Sequence, residues 1–578
     1  MRTMKKVQLR HSVSYLAFLG LAATLLSGQT NVVTWHNDTL RDGLNSAETT
    51  LTQANVNATQ FGKLCSAVFD GQVYGQPLVV VTGGKNIVYV ATMNDSLYAV
   101  DGTNCSQINY VSLLGASEKP VPCGDVGGSG CHTVKPIIGI LGTPVIDPAT
   151  NTIYLVSESE STAGTCPTRK VNACFIHRLH ALDLTTFAEK FNGPVVVAAN
   201  FLLASFTSKN HIQRPGLLLL NGIMPNGDNA LYVAFSAMDG SGTPGVSVAR
   251  GWILNYDAQN LTAAPNAWST TPTGEGGGVW MAGAGLAAGP DSPGGSTYLY
   301  FATGDGTFDV NTGGLDYGDS FIKLTTNLAT VPNGYFTPFG AACMNPTDTD
   351  FGSGGVMLLP NIGSTYYAVA AGKDRFIYVL DLSNPGQFTS PTNSTCPATG
   401  SNANAEYFLG GSGHQYLTTP VMWSSSMFYA PIAAPIIKYQ VSQTSPPICN
   451  PAPVCSTSTS KTAVSFQYGT NLAISASAQT TGTAILWAVA GNGWPSVPYP
   501  TSAVLYAFDA EHVTAPHTVP QLWNSTKCPT RDKGGHATKF VVPTIANGSV
   551  YVATMDPTDT TNTRGQLDAF GLTTATCN

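Results

Sequence analysis

Aspartates gather in one glycine-rich stretch of the sequence, Gly304–Asp319, which reads GDGTFDVNTGGLDYGD. Asp305 and Asp309 stand near its start. Calcium takes several hard oxygen ligands, and aspartate carboxylates are a usual source of them. The spacing is not that of an EF-hand loop, so residue type alone makes Asp305 and Asp309 candidate calcium ligands.

Two further stretches place chemically capable side chains beside glycines. Trp280 is the one aromatic residue of Gly274–Gly289, and no Gly-Lys-Ser/Thr triplet follows to mark a phosphate-binding loop. Asp350 stands just before the glycine-rich run Gly352–Gly355. A tryptophan face stacks on a flat ligand or packs in a core, and a carboxylate accepts a proton or caps a turn. The residue types leave both alternatives open.

Cationic side chains stand in polar stretches of the same kind. Lys373 follows a glycine and precedes two charged residues, a pattern that also fits a solvated turn. Four other basic or imidazole side chains are expected to line a central funnel or to serve as structural hydrogen-bond donors: His211, Arg214, His536 and Lys539. We consider Arg214, Lys373 and Lys539 candidate cofactor contacts.

Short runs of β-branched and aromatic residues separate all these connections. In Asn86–Asp101 two such runs flank a polar break at Thr92–Ser96, which predicts a β-hairpin. Seven more hairpins follow: Asn151–Val156 with Leu179–Asp183, Leu231–Phe235 with Trp252–Asp257, Thr297–Thr303 with Ser320–Leu324, Tyr366–Ala370 with Phe376–Asp381, Met427–Ala430 with Ile436–Val441, Ala484–Ala490 with Val504–Asp509, and Val550–Thr554 with Gln566–Phe570. One hairpin cannot bury both its faces, so the repeat predicts an all-β fold, a single eight-bladed β-propeller.

The two ends of the repeat indicate how the ring closes. Phe61–Phe69 is a lone strand before the first hairpin, and few residues follow the last one. We expect this strand to complete the final blade, because pairing the chain ends removes an exposed sheet edge. The propeller then spans 61–578, after an N-terminal strap over 31–60. The repeats are roughly 65–80 residues apart, longer than usual blades, so the excess and the function should lie in loops at one face.

Composition narrows the function classes. Charged residues make up only 10% of the chain, against 60 glycines and 37 prolines, and no basic cluster exists beyond the N-terminus. This excludes a nucleic-acid partner and indicates a turn-rich β protein. A basic start followed by the apolar run Val13–Leu26 predicts a signal peptide over residues 1–30. With no membrane span and no cysteine before Cys65 to accept a lipid, the protein is expected to be secreted or periplasmic.

The 12 cysteines fit export, which permits disulfides. Three close pairs invite bridging: Cys123 with Cys131, Cys166 with Cys174, and Cys449 with Cys455. Six others cannot be paired from the sequence: Cys65, Cys105, Cys343, Cys396, Cys528 and Cys577. Metal binding by these residues is the alternative, although no CxxC motif is present.

The stretch Ala371–Asp381, AGKDRFIYVLD, together with the repeat, resembles the pyrroloquinoline quinone (PQQ) propeller superfamily. That superfamily contains the eight-bladed quinoprotein alcohol dehydrogenases and non-catalytic relatives. The chain is more similar still to a set of secreted bacterial PQQ-like repeat proteins. They share the stretches Gln213–Gly222, Gly352–Pro360 and Lys539–Thr554.

The resemblance to the dehydrogenases implies a role for four positions. Lys373 matches a cation that contacts the quinone carbonyls, and Trp280 matches a tryptophan that stacks on the quinone face. Asp350 matches the base that takes the alcohol proton, and Asp305 stands where an asparagine ligates calcium. The implied cofactors are therefore PQQ and calcium, neither of which the sequence makes certain.

The chain also departs from the dehydrogenase pattern. The adjacent-cysteine disulfide matches Cys123-Gly124, only Asp239 is acidic where a glutamate ligates calcium, and Thr349 replaces a tryptophan. No haem-attachment CxxCH motif occurs. We therefore predict a monomeric, non-catalytic scaffold that binds a ligand or a protein partner at its loop-bearing face. The alternative is a PQQ- and calcium-dependent dehydrogenase of alcohols or sugars, and a third hypothesis is a glycan-cleaving enzyme with paired carboxylates.

Overall fold

The computed structural model describes residues 29–126, 134–169, 171–237, 249–359, 365–393, 395–402, 405–409, 413–442, 460–467, 469–491 and 501–577. The predicted signal segment lies almost wholly outside these residues, as do Asp239, Cys131, Cys449 and Cys455. Within them, eight sheets stand in a ring around a common axis. The predicted all-β, eight-bladed propeller is confirmed.

Each blade contains four antiparallel strands, ordered from the axis outward. Blades 1 to 4 are Leu78–Thr82, Lys85–Ala91, Ser96–Asp101, Gln107–Ser112; Val145–Asp147, Thr152–Ser161, Phe175–Asp183, Val195–Val196; Leu218–Leu220, Ala230–Ala237, Trp252–Asp257, Asn266–Ser269; and Ala287–Pro290, Thr297–Ala302, Phe321–Thr325, Thr330–Thr337. Blades 5 to 8 are Met357–Leu358, Tyr367–Ala371, Phe376–Asp381, Glu406–Leu409; Val421–Trp423, Ser426–Tyr429, Ala434–Gln440, Ser460–Phe466; Leu472–Ser475, Ile485–Ala490, Val504–Asp509, Gln521–Asn524; and Thr544–Ala546, Ser549–Met555, Gly565–Leu572, Phe61–Phe69.

The remaining elements are short. Additional strands are Leu44–Asn45, Glu118–Pro122, Ile137–Ile138, Asn200–Phe201, Ala204–Ser205, His211–Ile212, Gln387–Phe388 and His536–Ala537. The α-helices are Cys166–Arg169 and Ala341–Met344, and the 3₁₀ turns are Cys123–Asp125, Asn172–Cys174, Ser208–Asn210, Met281–Gly283, Val310–Thr312, Asn345–Thr347 and Phe351–Ser353. Among the described residues no helix is both long and apolar enough to cross a membrane.

The eight hairpins predicted from the sequence are the second and third strands of the eight blades. These strands read as continuous apolar runs because neighbouring blades cover both of their faces, as in Ser96–Asp101, where every residue is buried. The outermost strand Gln107–Ser112 instead alternates between exposed and half-buried residues. Four innermost strands begin directly after a proline, which cannot donate to a sheet ladder: Pro77, Pro144, Pro420 and Pro543.

Terminal strands close the ring as predicted. Phe61–Phe69 pairs antiparallel with Gly565–Leu572, which places Phe61 opposite Leu572. The Thr544 hydroxyl then donates a hydrogen bond of 2.7 Å to the carbonyl of Pro77, which joins the innermost strand of blade 8 to the residue just before the innermost strand of blade 1. Because the last blade takes its outer strand from the start of the chain, the ring closes only when both ends are present.

Beneath the ring, residues 29–60 form a strap across the axis. Backbone hydrogen bonds join it to the innermost strands of six blades, at Val79, Ile146, Ala288, Leu358, Met422 and Ile474. Arg41, which is fully buried, donates from its guanidinium to the carbonyls of Leu286 and Trp35 at 2.9 and 2.7 Å. The strap also makes hydrogen bonds with Gly482 and Gly548, which lie in turns between first and second strands, so this part of the strap is at that end of the ring.

Four disulfides occur among the described residues. The predicted pair Cys166–Cys174 is confirmed. The six cysteines that could not be paired from the sequence form Cys65–Cys105, Cys343–Cys396 and Cys528–Cys577. Cys123 is also disulfide-bonded, although its expected partner Cys131 lies outside the described residues. These bonds are in line with an extracellular or periplasmic protein.

Truncation of Phe61, the first side chain of the closing strand, should destabilise the last blade. Phe61 is fully buried, with its ring 4.9 Å from that of Trp523 and 5.6 Å from that of Trp487. We expect Phe61→Ala to lower the free energy of unfolding by about 3–5 kcal/mol. Leu64→Ala on the same strand, where the side chain is 37% exposed, should cost no more than about 1 kcal/mol. Denaturation by guanidinium chloride measures both, and equal losses would contradict this packing.

A matched glycine pair tests whether the strap docks on blade 6. Gly43 and Gly84 have positive φ angles of 68° and 78°, so alanine strains both backbones by about 1–2 kcal/mol. Only at Gly43 would the new Cβ meet a neighbour, Cγ1 of Val421 at 2.3 Å. We therefore expect Gly43→Ala to lower stability by about 1–3 kcal/mol more than Gly84→Ala. Equal thermal unfolding midpoints for the two variants would show that the strap is not seated there.

Candidate functional site

The candidate residues all project from connections at the end of the ring opposite the strap. Connections into a first strand and connections between a second and a third strand lie at the same end, because consecutive strands of a blade are antiparallel. The first kind carries Arg214, Trp280, Asp350 and Lys539, and the second carries Asp305, Asp309 and Lys373. The propeller thus places residues from distant parts of the sequence on one face.

Lys373 lies between two carboxylates of the preceding connection. Its Nζ is 2.5 Å from Oδ1 of Asp348 and 2.5 Å from Oδ2 of Asp350. The backbone N–H of Asp305 donates to Asp350 Oδ1 at 3.2 Å, which brings a third carboxylate alongside. Gly372 permits this approach, because a Cβ there would lie 2.4 Å from the carbonyl oxygen of Asp350.

The three aspartates beside Lys373 are close enough to share a cation. Asp305, Asp348 and Asp350 each present one oxygen, and the three oxygens lie within 4.8 Å of one another. Asp305 Oδ1 is buried and accepts no hydrogen bond within the described part of the chain. This set of hard oxygens fits calcium, which would compete with the Lys373 ammonium for Asp348 and Asp350.

Burial and mutual repulsion control the charges of this group. Burial, together with the charges of Asp319 and Asp350, raises the pKa of Asp305 to about 10. Burial also raises the pKa of Asp319 to about 8. Burial would raise the pKa of Asp350 as well, but the Lys373 ammonium outweighs it and holds that pKa below its usual value. Asp350 is therefore an ionised, already paired carboxylate.

Asp309 does not join this group, although the sequence pairs it with Asp305. Its Oδ1 accepts a hydrogen bond of 2.9 Å from the backbone N–H of Asp316. Its carboxylate lies against Gly314, where a Cβ would come within 2.0 Å of Asp309 Cγ. Asp309 thus closes its own loop. Asp348 takes its place in the group, and the only sequence signal for Asp348 is the short run Asp348–Asp350.

Arg214 and Lys539 form a second, cationic group. Arg214 is 1% exposed, and its guanidinium donates only to backbone carbonyls among the described residues, at 3.3 and 3.0 Å. Both cations lie over the ring of Phe540, Lys539 at 4.6 Å and Arg214 at 5.9 Å from its centroid. Burial, with the positive charges of Lys373 and Arg214 nearby, lowers the pKa of Lys539 to about 8.

Trp280 lies on the same side of the ring as these cations. Its ring is half-buried against an apolar cluster that contains Cys123 and Cys174. The Arg214 guanidinium stands 5.9 Å from the Trp280 centroid, a cation–π distance. Gly283 makes room for that guanidinium, since a Cβ there would lie 2.1 Å from Arg214 Nη1. Trp280 is therefore already partnered by a cation of its own chain.

Comparison with known proteins gives the fold. No protein-family model matches the chain, and no curated protein sequence matches it. The solved quinohemoprotein alcohol dehydrogenase ADHIIG from Pseudomonas putida HK5 is 13% identical, with a TM-score of 0.53 over 94% of this chain and 80% of that one. The quinohemoprotein alcohol dehydrogenase from Comamonas testosteroni gives 13% identity and a TM-score of 0.54 over the same shares. The chain therefore has the eight-bladed fold of the PQQ-type β-propellers.

Proposed function

We propose that this protein is a secreted, non-catalytic β-propeller that binds an anionic ligand at its loop-bearing face. The observation that carries the proposal is the pair of cations Arg214 and Lys539, which come from different blade connections and lie over the same Phe540 ring, with Lys373 nearby. An anion seated there would contact cations on several sides at once. The predicted signal peptide supports export, and the disulfides fit it.

The electrostatics of the group favour an anion. Arg214 is buried and has no carboxylate partner within the described residues, which is a costly state for a charge. Burial and the neighbouring cations already depress the pKa of Lys539. A bound carboxylate or phosphate would offset this repulsion, so the group is better suited to a ligand than to the free protein.

Two features support binding without catalysis. Asp350, the candidate base, is held ionised by Lys373 and accepts the N–H of Asp305. A base so paired is a weak proton acceptor. Trp280 is covered in part by Arg214 and an apolar cluster, so it offers less of a free platform for a flat cofactor.

The alternative, a PQQ- and calcium-dependent dehydrogenase, has one observation in its favour: Asp305, Asp350 and Lys373 meet in one group. PQQ is a flat polycarboxylate, so the three cations fit its charge, and the three aspartates fit calcium. Arg214, Lys373 and Lys539 would hold the carboxylates and quinone oxygens, and Asp305 and Asp348 would hold the ion, which leaves Asp350 as the base. Bound PQQ would supply the electron acceptor, and Asp350 would accept the alcohol proton.

Anion binding should weaken as Lys539 loses its proton. Because its pKa is about 8 in the free protein, Lys539 is mostly protonated at pH 7 and mostly neutral at pH 9. We expect benzene-1,3,5-tricarboxylate to bind roughly tenfold more weakly at pH 9 than at pH 7 in titration calorimetry. Lys539→Met should weaken binding at pH 7 and remove most of the pH dependence.

The control for this experiment is Lys461→Met, which removes one positive charge from an exposed position on the outer strand of blade 6. It should leave both the affinity and its pH dependence unchanged. An affinity that is the same at the two pH values, or that survives Lys539→Met, would contradict an anion site at the axis.

Calcium should stabilise the protein through the three grouped aspartates. We expect millimolar calcium to raise the thermal unfolding midpoint by a few degrees, since a ligand that binds only the folded state stabilises it. Asp305→Ala should reduce this rise, because it removes both oxygens that this side chain offers to the ion. Asp309→Ala provides the control, because it alters the neighbouring loop but not the group, so the rise should persist. An equal response in the two variants would show that Asp305 does not contact the ion.

A further inference from the structure

A cavity of about 690 Å³ lies to one side of the axial group. It opens between the connection that follows blade 4 and the hairpin of blade 5, and its lining includes Phe339, Met344, Arg375, Phe376 and Tyr378. Small-molecule sites have volumes of about 300–1,000 Å³, mostly apolar walls and a few polar groups. Arg214, Trp280 and Lys539 do not line this cavity, whereas Lys373 does, so the cavity borders the axial group at that one residue.

Covalent and hydrogen bonds fix the walls of the cavity. The disulfide Cys343–Cys396 ties the short helix Ala341–Met344 to the outer loop of blade 5. The N–H of Phe339 donates to Asn402 Oδ1 at 3.0 Å, a second link between the same two segments. The cavity is therefore preformed, which reduces the entropy that a ligand must overcome on binding.

Aromatic rings form one surface of the cavity. The half-buried rings of Phe339 and Phe376 line it, and Phe376 is backed by Tyr378, which is 1% exposed and whose ring centroid lies 6.3 Å from that of Phe376. The Tyr378 hydroxyl donates to Asp374 Oδ2 at 2.5 Å, which fixes the orientation of its ring. Flat rings held in this way pack well against an aromatic or alicyclic ligand.

Arg375 supplies a positive charge at the same cavity. Its side chain is exposed, and within the described residues it makes no hydrogen bond or ion pair. Its φ angle is +75°, in the left-handed region that arginine rarely adopts. Such backbone strain tends to be kept where it positions a functional group. Lys373 also lines the cavity, but its ammonium is paired with Asp348 and Asp350, so Arg375 is the cation available to a ligand.

We infer that this cavity binds a small aromatic carboxylate, with its ring against Phe339 and Phe376 and its carboxylate on Arg375. Arginine suits this role because its planar guanidinium donates two parallel hydrogen bonds to a carboxylate. The site borders the axial group at Lys373 but uses its own cation and its own rings, so each site can bind without the other.

Titration calorimetry of the full chain with 2-naphthoate tests the inference. We expect one saturable site, with binding at least tenfold weaker in Arg375→Gln and at least tenfold weaker for the neutral analogue 2-naphthylmethanol. Lys461→Gln, which removes one exposed positive charge on blade 6, should bind 2-naphthoate as the wild type does. Undiminished binding to Arg375→Gln, or no binding to the wild type at millimolar 2-naphthoate, would overturn the inference.

A second variant tests the cavity apart from its charge. Gly340 lines the cavity, has a negative φ, and has no atom within 4 Å of the place where a Cβ would stand. Gly340→Trp should therefore fold normally and block 2-naphthoate by occupying the space. Loss of binding in Lys539→Met, with binding intact in Arg375→Gln and Gly340→Trp, would place the probe at the axis. That result would overturn this inference and leave the proposed function standing.

Discussion

The structure depends on the pairing of its two chain ends. No blade can bury both of its faces alone, so each relies on its neighbours, and the ring is complete only when Phe61–Phe69 joins Gly565–Leu572. The disulfide Cys65–Cys105 then ties the outer strand of blade 8 to blade 1. Every connection that carries a candidate residue is held in place by this closure, since the residues come from different blades.

Two buried arginines stand against the inner segment of blade 4. The Arg41 side chain of the strap donates to the carbonyls of Leu286 and Trp35. Gly285 makes room for it, since a Cβ there would lie 2.8 Å from Arg41 Nη2. Arg214 occupies a corresponding place beside Gly283, toward the loop-bearing end. The strap lies at one end of the ring, and the candidate residues lie at the other.

Much of the fold could be predicted from the sequence, because a strand covered on both faces must be a continuous apolar run. All eight hairpins and the closing strand were identifiable in this way. The site was harder, since residue type does not show which loop oxygens meet. Asp309 and Asp305 are near in sequence, yet Asp309 bonds the N–H of Asp316, and Asp348 joins Asp305 from another blade connection. Disulfide pairs distant in sequence, such as Cys343–Cys396, depend on the same three-dimensional information.

The central claim is that the loop-bearing face holds an anion without transforming it. The most direct measurement is reduction of an artificial electron-acceptor dye by the purified protein supplied with PQQ, calcium and a series of alcohols and sugars. The account predicts that no substrate gives a rate above that of PQQ and calcium alone. Dye reduction that requires both the protein and an alcohol, and that disappears in Asp350→Asn, would contradict it and establish a dehydrogenase.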